Sequence, residues 1–201
     1  LGVTALVLGA AADSVGGQLG GSEAVSDILS TFGGTTLVES YLASSISLLG
    51  IGAAAYSISA ILRAHAEEEA SLAEPVLATG VSRSRWLGSH LLWATAGPAS
   101  AMLVVGLAAG IPYGLAVGDI GAVLPGVLGG ALVHIPAVWV FTATGVLLFG
   151  LIPQYAPMVW GVLAACVMLG QVGAVMGLPQ IWLDLSPFTH LPHLPGGSLA
   201  P

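Results

Sequence analysis

Four long apolar runs, separated by more polar stretches, make up about half of this chain of 201 residues. They lie at residues 37–62, 88–111, 122–150 and 157–177. Each is long enough to cross about 30 Å of hydrocarbon as a helix, which rises about 1.5 Å per residue. None of them alternates apolar and polar residues as a strand of a membrane barrel does. The pattern therefore predicts an all-α integral membrane protein, a polytopic helical bundle.

The two ends of the chain carry apolar sequence of other kinds. Residues 1–12 are too short to span, and we interpret them as a truncated span, although the small residues at 9–12 also suit the end of a signal peptide. Residues 178–201 are interrupted by prolines but are rich in apolar side chains. We expect residues 1–201 to form a single transmembrane domain that belongs to a longer chain.

Charged residues are scarce, at 6% of the chain against about 25% in ordinary soluble domains. There is no lysine, so a P-loop, which needs a lysine on the phosphates, is absent and ATP hydrolysis by that route is excluded. The net charge of -7 argues against a nucleic-acid partner. The single cysteine, Cys166, lies in an apolar run and is expected to be a packing residue.

All three basic residues, Arg63, Arg83 and Arg85, fall in the connection between the first two complete runs. Positive charge beside a span marks the cytoplasmic side, so residues 63–87 are predicted to be cytoplasmic in a plasma-membrane protein. Alternation then places residues 13–36, 112–121 and 178–201 outside. The short turn at 151–156 is assigned to the cytoplasm by alternation alone.

The cytoplasmic segment has good helix formers from Arg63 to Ala73, a break at Pro75 and a terminating Gly80. Leu72 and Val76 would form an apolar side opposite the glutamates, which predicts a short amphipathic helix beneath the membrane. The alternative is a solvated loop whose glutamates only keep it in water.

Two stretches carry a resemblance to a known family. Residues 67–86, EEEASLAEPVLATGVSRSRW, resemble the coupling segment of type-2 ABC exporter permeases, in particular actinobacterial exporters of polyketide antibiotics such as tetronasin. Residues 183–197 are similar to the segment before the last span of those permeases. The resemblance implies part of a six-helix half, a second permease half in another copy or the same chain, and a hydrophobic or amphipathic substrate.

The resemblance also implies a separate P-loop ATPase subunit that carries ATP and Mg, with no cofactor in this chain. The residues implied to meet that subunit are Glu67, Glu68, Glu69, Glu74, Arg83 and Arg85. Residues 178–201 are expected to form an external re-entrant element over the outer mouth of the pathway. The candidates for the pathway or its gate are His134, Trp139, Trp182, Asp184 and Phe188.

Other functions remain open at the level of the sequence. His134 lies deep in an apolar run near Pro136, where it either lines a transport pathway or bonds to a neighbouring helix beside proline-freed carbonyls. An ion-gradient-driven secondary transporter or channel would use it as a proton-linked group. A membrane scaffold that transports nothing is a third possibility. The histidine pair His190 and His193 lacks the carboxylates that would complete a metal site.

Overall fold

The computed structural model describes residues 37–171 and 186–190. The helices are α1 (Leu37–Glu69), α2 (Glu74–Ala78), α3 (Arg83–Val117), α4 (Ile120–Leu132), α5 (His134–Leu151) and α6 (Val159–Gln171), with 3-10 helices at Pro153–Met158 and Pro187–His190. No strand occurs in this described part of the chain, and four helical stretches are long and apolar enough to cross a membrane. The prediction of an all-α membrane protein is confirmed.

The helices extend beyond the apolar runs that predict them. The four stretches able to span are Val38–Glu69, Arg83–Val117, Ile120–Leu151 and Pro153–Gly170. A helix of 32 residues is about 48 Å long, well over the hydrocarbon thickness of about 30 Å. Hydropathy marks the part of a helix that is soluble in lipid, whereas the helix itself continues until its backbone hydrogen bonds end.

The expectation of a separate helix starting at Arg63 is corrected by α1, which continues without a break to Glu69. It ends because Ser71 adopts a left-handed conformation, with φ of 57°. The Leu72 amide then donates to the Glu67 carbonyl over 2.9 Å and the Ser71 amide to the Glu68 carbonyl over 3.0 Å. This is the Schellman arrangement, which satisfies the last carbonyls of a helix.

The third apolar run is interrupted at Val133, between α4 and α5. Pro136, at the third position of α5, has no amide hydrogen and leaves the carbonyl four residues earlier without its usual donor.

The start of α4 is fixed by two residues of the preceding turn. Gly118 turns the chain at φ of 81°, and the Asp119 carboxylate accepts a hydrogen bond from the Ala122 amide over 3.0 Å. Asp119 is thus the N-cap of α4.

The described residues divide into two compact units. The first holds residues 37–50 and 100–135, and α3 packs closely on α4 there. A Cβ added to Gly106 would lie 2.8 Å from Leu128 Cδ1, and one added to Gly110 would lie 2.8 Å from Leu124 Cδ1. The Gly106-x-x-x-Gly110 pair therefore serves packing within one subunit.

The second unit holds residues 51–99, 136–171 and 186–190. Its core includes Ile58, Ile61, Val138, Phe141 and Val159, all nearly or fully buried. The 3-10 helix Pro187–His190 packs on α6, where the Ser186 hydroxyl donates to the Cys166 carbonyl over 2.9 Å. The ion pairs at the end of α1 and the hydrogen bond from Ser57 to Ala94 lie in this unit.

Candidate functional site

The three consecutive glutamates at the end of α1 each pair with a different basic side chain. Glu67 lies 3.3 Å from His90 Nε2, and Glu68 lies 3.3 Å from Arg83 Nη1. Both of these pairs join α1 to α3. Glu69 lies 3.5 Å from His65 Nε2, one turn earlier on its own helix. The acidic run therefore links the end of α1 to the start of α3, and it also presents charge to water.

Exposure separates the residues proposed for docking. The side chains of Glu67 and Glu68 are 33% and 41% exposed, whereas that of Glu69 is 69% exposed. Glu74 and Arg85 are exposed and have no ion pair among the described residues. Surface pairs of this kind contribute about 0.2–1 kcal/mol each, so the exposed groups can exchange one partner for another at little cost.

The connection from Ala70 to Ser82 is an ordered platform. Ala73 is buried, while Leu72 and Val76 are 65% and 44% exposed, so the apolar side expected for this segment is divided rather than continuous. Gly80, at φ of 88°, ends α2 as the sequence predicts. The Arg85 amide then donates to the Ser82 hydroxyl, which starts α3.

A groove of about 530 Å³ lies between α1 and α3 next to the paired glutamates. Its lining combines charged, hydroxyl and aromatic side chains: Tyr56, Ser59, Ala60, Arg63, Glu67, Ser89, His90 and Trp93. Trp86 meets His90 edge-on, with the ring centroids 5.1 Å apart. This groove is not apparent from the sequence, because only the antiparallel packing of α1 and α3 brings its residues together.

Deeper in the same unit, three helices share a chain of hydroxyl hydrogen bonds. The Ser57 hydroxyl of α1 donates to the Ala94 carbonyl of α3 over 2.8 Å, and it also bonds to the Thr142 hydroxyl of α5. Ala94 precedes Pro98 by four residues, so its carbonyl lacks the usual amide donor. A proline inside an apolar run was the signal in the sequence that a hydroxyl donor should lie nearby.

His134 is buried, with 7% of its surface exposed. Its Nδ1 lies 2.8 Å from the Gly130 carbonyl of the preceding turn. The ring lies over Gly50 of α1, since a Cβ added there would be 2.5 Å from His134 Cδ2. These contacts fit a packing and hydrogen-bonding role, and a role in the pathway stays a prediction.

Two of the other candidates for the pathway, Trp139 and Phe188, lie among the described residues. Trp139 is 48% exposed, and its indole Nε1 donates to the Thr95 carbonyl over 3.4 Å. Phe188 stacks on Phe141, with ring centroids 5.5 Å apart, which fixes the 3-10 helix Pro187–His190 over α5. Trp182 and Asp184 lie outside the described residues.

The comparisons with known proteins agree on one family. The model of the family "Multidrug efflux system permease Rv1217c, C-terminal domain" matches residues 1–201. The chain is 47% identical over 193 residues to the multidrug efflux system permease protein Rv1217c of Mycobacterium tuberculosis (strain ATCC 25618 / H37Rv). That alignment covers 96% of this chain but 35% of the relative, so the chain spans about a third of the relative's length.

Proposed function

The chain belongs to the family of the multidrug efflux system permease C-terminal domain, and on that basis we propose that it is a membrane-spanning part of an ATP-driven exporter. The cargo we propose is a hydrophobic or amphipathic compound, such as a polyketide antibiotic of the type that the sequence resemblance indicates. The family match along residues 1–201 is the observation that carries this proposal. The four apolar helices are consistent with it.

In this proposal a separate P-loop ATPase subunit, carrying ATP and Mg, docks against the 70–82 platform on the cytoplasmic side of the plasma membrane. Leu72 and Val76 are apolar and exposed, and the exposed Glu69 and Glu74 are their near neighbours in the sequence. Apolar side chains flanked by charged ones are typical of a protein interface, which has a desolvated centre and a polar rim. A second permease half, either another copy or part of the same polypeptide, completes the transporter.

Copurification followed by an ATPase assay tests the proposal. The permease isolated from its own membrane should carry a P-loop ATPase, and adding an exported compound should stimulate ATP hydrolysis. Transport that continues in vesicles without nucleotide, driven by an ion gradient, would instead support the secondary transporter. If a folded preparation shows neither ATP hydrolysis nor transport driven by an ion gradient, the membrane scaffold is the better explanation.

A paired variant tests the docking surface itself. Leu72→Ser with Val76→Ser should weaken ATPase binding by about a hundredfold, because burial of two aliphatic side chains contributes roughly 3 kcal/mol. The matched control is Leu151→Ser with Ile152→Ser, which are 76% and 44% exposed at the junction between α5 and the connection that follows it. Equal binding by both double variants and the unchanged protein would place the ATPase elsewhere.

A further inference from the structure

The groove between α1 and α3 changes in chemistry along its length. Glu67 and His90 lie at its charged end, and Tyr56 lies at the other, where its ring contacts the position of Gly97. Eleven residues of α1 separate Glu67 from Tyr56, a distance of about 16 Å along the helix. A phospholipid has the same gradient over a similar length, from its headgroup through glycerol to the start of the acyl chains.

Arg63 is the group in this groove whose charge is not matched. Glu67 is paired with His90 over 3.3 Å, whereas Arg63 has no carboxylate within 4 Å among the described residues. A guanidinium offers five N–H donors in a planar fork that matches the oxygens of a phosphate. The groove therefore has a site for a phosphodiester beside Arg63.

The two serines of the groove supply acceptors rather than donors. The Ser59 hydroxyl gives its hydrogen to the Ala55 carbonyl over 2.8 Å, and that of Ser89 gives its hydrogen to the Trp86 carbonyl over 2.6 Å. The lone pairs of the two serine oxygens and the Glu67 carboxylate are therefore the hydrogen-bond acceptors that these three side chains offer to a ligand. A headgroup that carries hydroxyl hydrogens satisfies these acceptors, and a choline headgroup has none to give.

The aromatic end of the groove is open to the side of the protein. Trp93 is 67% exposed and Tyr56 is 48% exposed, which is the position that amphipathic rings take at the level of lipid headgroups. Arg63 lies about two helical turns from Tyr56 along α1. A lipid in the leaflet on the Arg63 side can therefore enter laterally without leaving the membrane.

We propose that the groove formed by Tyr56, Ser59, Arg63, Glu67, Ser89 and Trp93 binds an anionic phospholipid with a hydroxylated headgroup, such as phosphatidylglycerol. The phosphate binds Arg63, the headgroup hydroxyls donate to Glu67 and the serines, and the upper acyl chain packs on Trp93 and Tyr56. The site requires only that the protein lies in a membrane. It does not depend on the cargo or on an ATPase partner.

Native mass spectrometry of the complete permease in detergent, titrated with phosphatidylglycerol, phosphatidylethanolamine or phosphatidylcholine, tests the proposal. Phosphatidylglycerol should be retained most strongly, and Arg63→Gln should weaken its binding by about tenfold or more, as expected for loss of a hydrogen bond to a charged group. Arg85→Gln is the matched control, because Arg85 is also exposed and without an ion pair in the described chain but lies outside the groove. Its retention of the lipid should change less than twofold.

A second variant tests the groove without removing a charge, so an effect of charge on folding does not enter. Ala60→Phe leaves Arg63 in place but fills the groove, and it should reduce lipid retention as Arg63→Gln does, with a normal helical circular dichroism spectrum. Inorganic phosphate in excess should not displace the lipid. Displacement by phosphate, a preference for phosphatidylethanolamine or phosphatidylcholine, or full retention by either groove variant would overturn the proposal.

Discussion

The Ser57 hydroxyl donates a hydrogen bond of 2.8 Å to the carbonyl of Ala94, which Pro98 leaves without its helical donor. The Ser57 hydroxyl oxygen also bonds to that of Thr142, and the Thr142 hydroxyl has a further acceptor in the Val138 carbonyl of its own helix, 3.1 Å away. These hydrogen bonds join Thr142, Ser57 and Ala94, three fully or nearly fully buried residues on three helices. The proline in α3 thus creates an acceptor that ties α1 and α5 to it.

This chain of hydrogen bonds predicts the cost of losing Ser57. Ser57→Ala should lower the free energy of unfolding by about 1 kcal/mol, within the range measured for hydrogen bonds between membrane helices. The control, Ser44→Ala, removes a hydroxyl that bonds only within its own helix, to Ser40, and should cost less. Thermal unfolding in detergent measures both.

The role of Pro98 can be tested in the same series. In a Pro98→Ala background the new amide can donate to the Ala94 carbonyl, so Ser57→Ala should cost less there than in the unchanged protein. The double-mutant cycle reports the difference directly. Additive effects of the two substitutions would show that the Ser57 hydrogen bond does not depend on the proline.

A close approach between helices predicts different outcomes at two glycines. A Cβ at Gly114 would lie 2.9 Å from the backbone Cα of Ile120, which cannot turn away as a side chain can. Gly114→Ala should therefore destabilise the protein by about 1–3 kcal/mol. Gly52→Ala meets nothing within 4 Å and should be neutral or stabilising by up to about 1 kcal/mol, because alanine favours the helix. Equal unfolding temperatures would contradict the helix contact.

The left-handed Ser71 at the end of α1 predicts a stabilising substitution. Ser71→Gly should raise the free energy of unfolding by up to about 1 kcal/mol, because glycine adopts positive φ without steric cost. The control is Ser59→Gly, on the exposed side of α1, which should lower it by about 0.5 kcal/mol. A loss of stability with Ser71→Gly would show that the turn has another conformation.

The glutamates should separate into two groups. Glu67→Ala with Glu68→Ala removes both ion pairs between α1 and α3 and should lower the unfolding temperature. Glu69→Ala with Glu74→Ala should leave that temperature nearly unchanged but slow association with the ATPase and reduce its salt dependence, as loss of rim charges does. Surface plasmon resonance and thermal unfolding give the two readouts. If the second variant associates at the normal rate, the solvated-loop interpretation is right for Glu69 and Glu74.

The proposed orientation is tested by single cysteines in a Cys166→Ala background. Ser71→Cys should be protected from an impermeant thiol reagent in intact cells, because the arginines mark its side as cytoplasmic. Gly121→Cys, beside Asp119 on the opposite side, should be labelled. Labelling of the first and protection of the second would reverse the orientation.

The sequence alone determined the class of the protein and some of the breaks between its helices. Apolar runs of about 20 residues and the scarcity of charge leave a helical membrane protein as the available solution, since backbone groups in lipid must bond within the helix. The end of α2 at Gly80 has a local cause, so it can be predicted from the neighbouring residues of the chain. The match between residues 67–86 and exporter permeases is likewise a property of the sequence.

Only the tertiary structure decided which side chains meet. Glu67 finds His90, Glu68 finds Arg83 and Ser57 finds Ala94 because α1 and α3 run antiparallel in contact, and no local pattern encodes that register. In an apolar helix nearly every face is hydrophobic, so the sequence does not mark which face packs and which meets lipid. Close packing at small residues and the need to satisfy proline-freed carbonyls settle that choice, and they act between residues far apart in the chain.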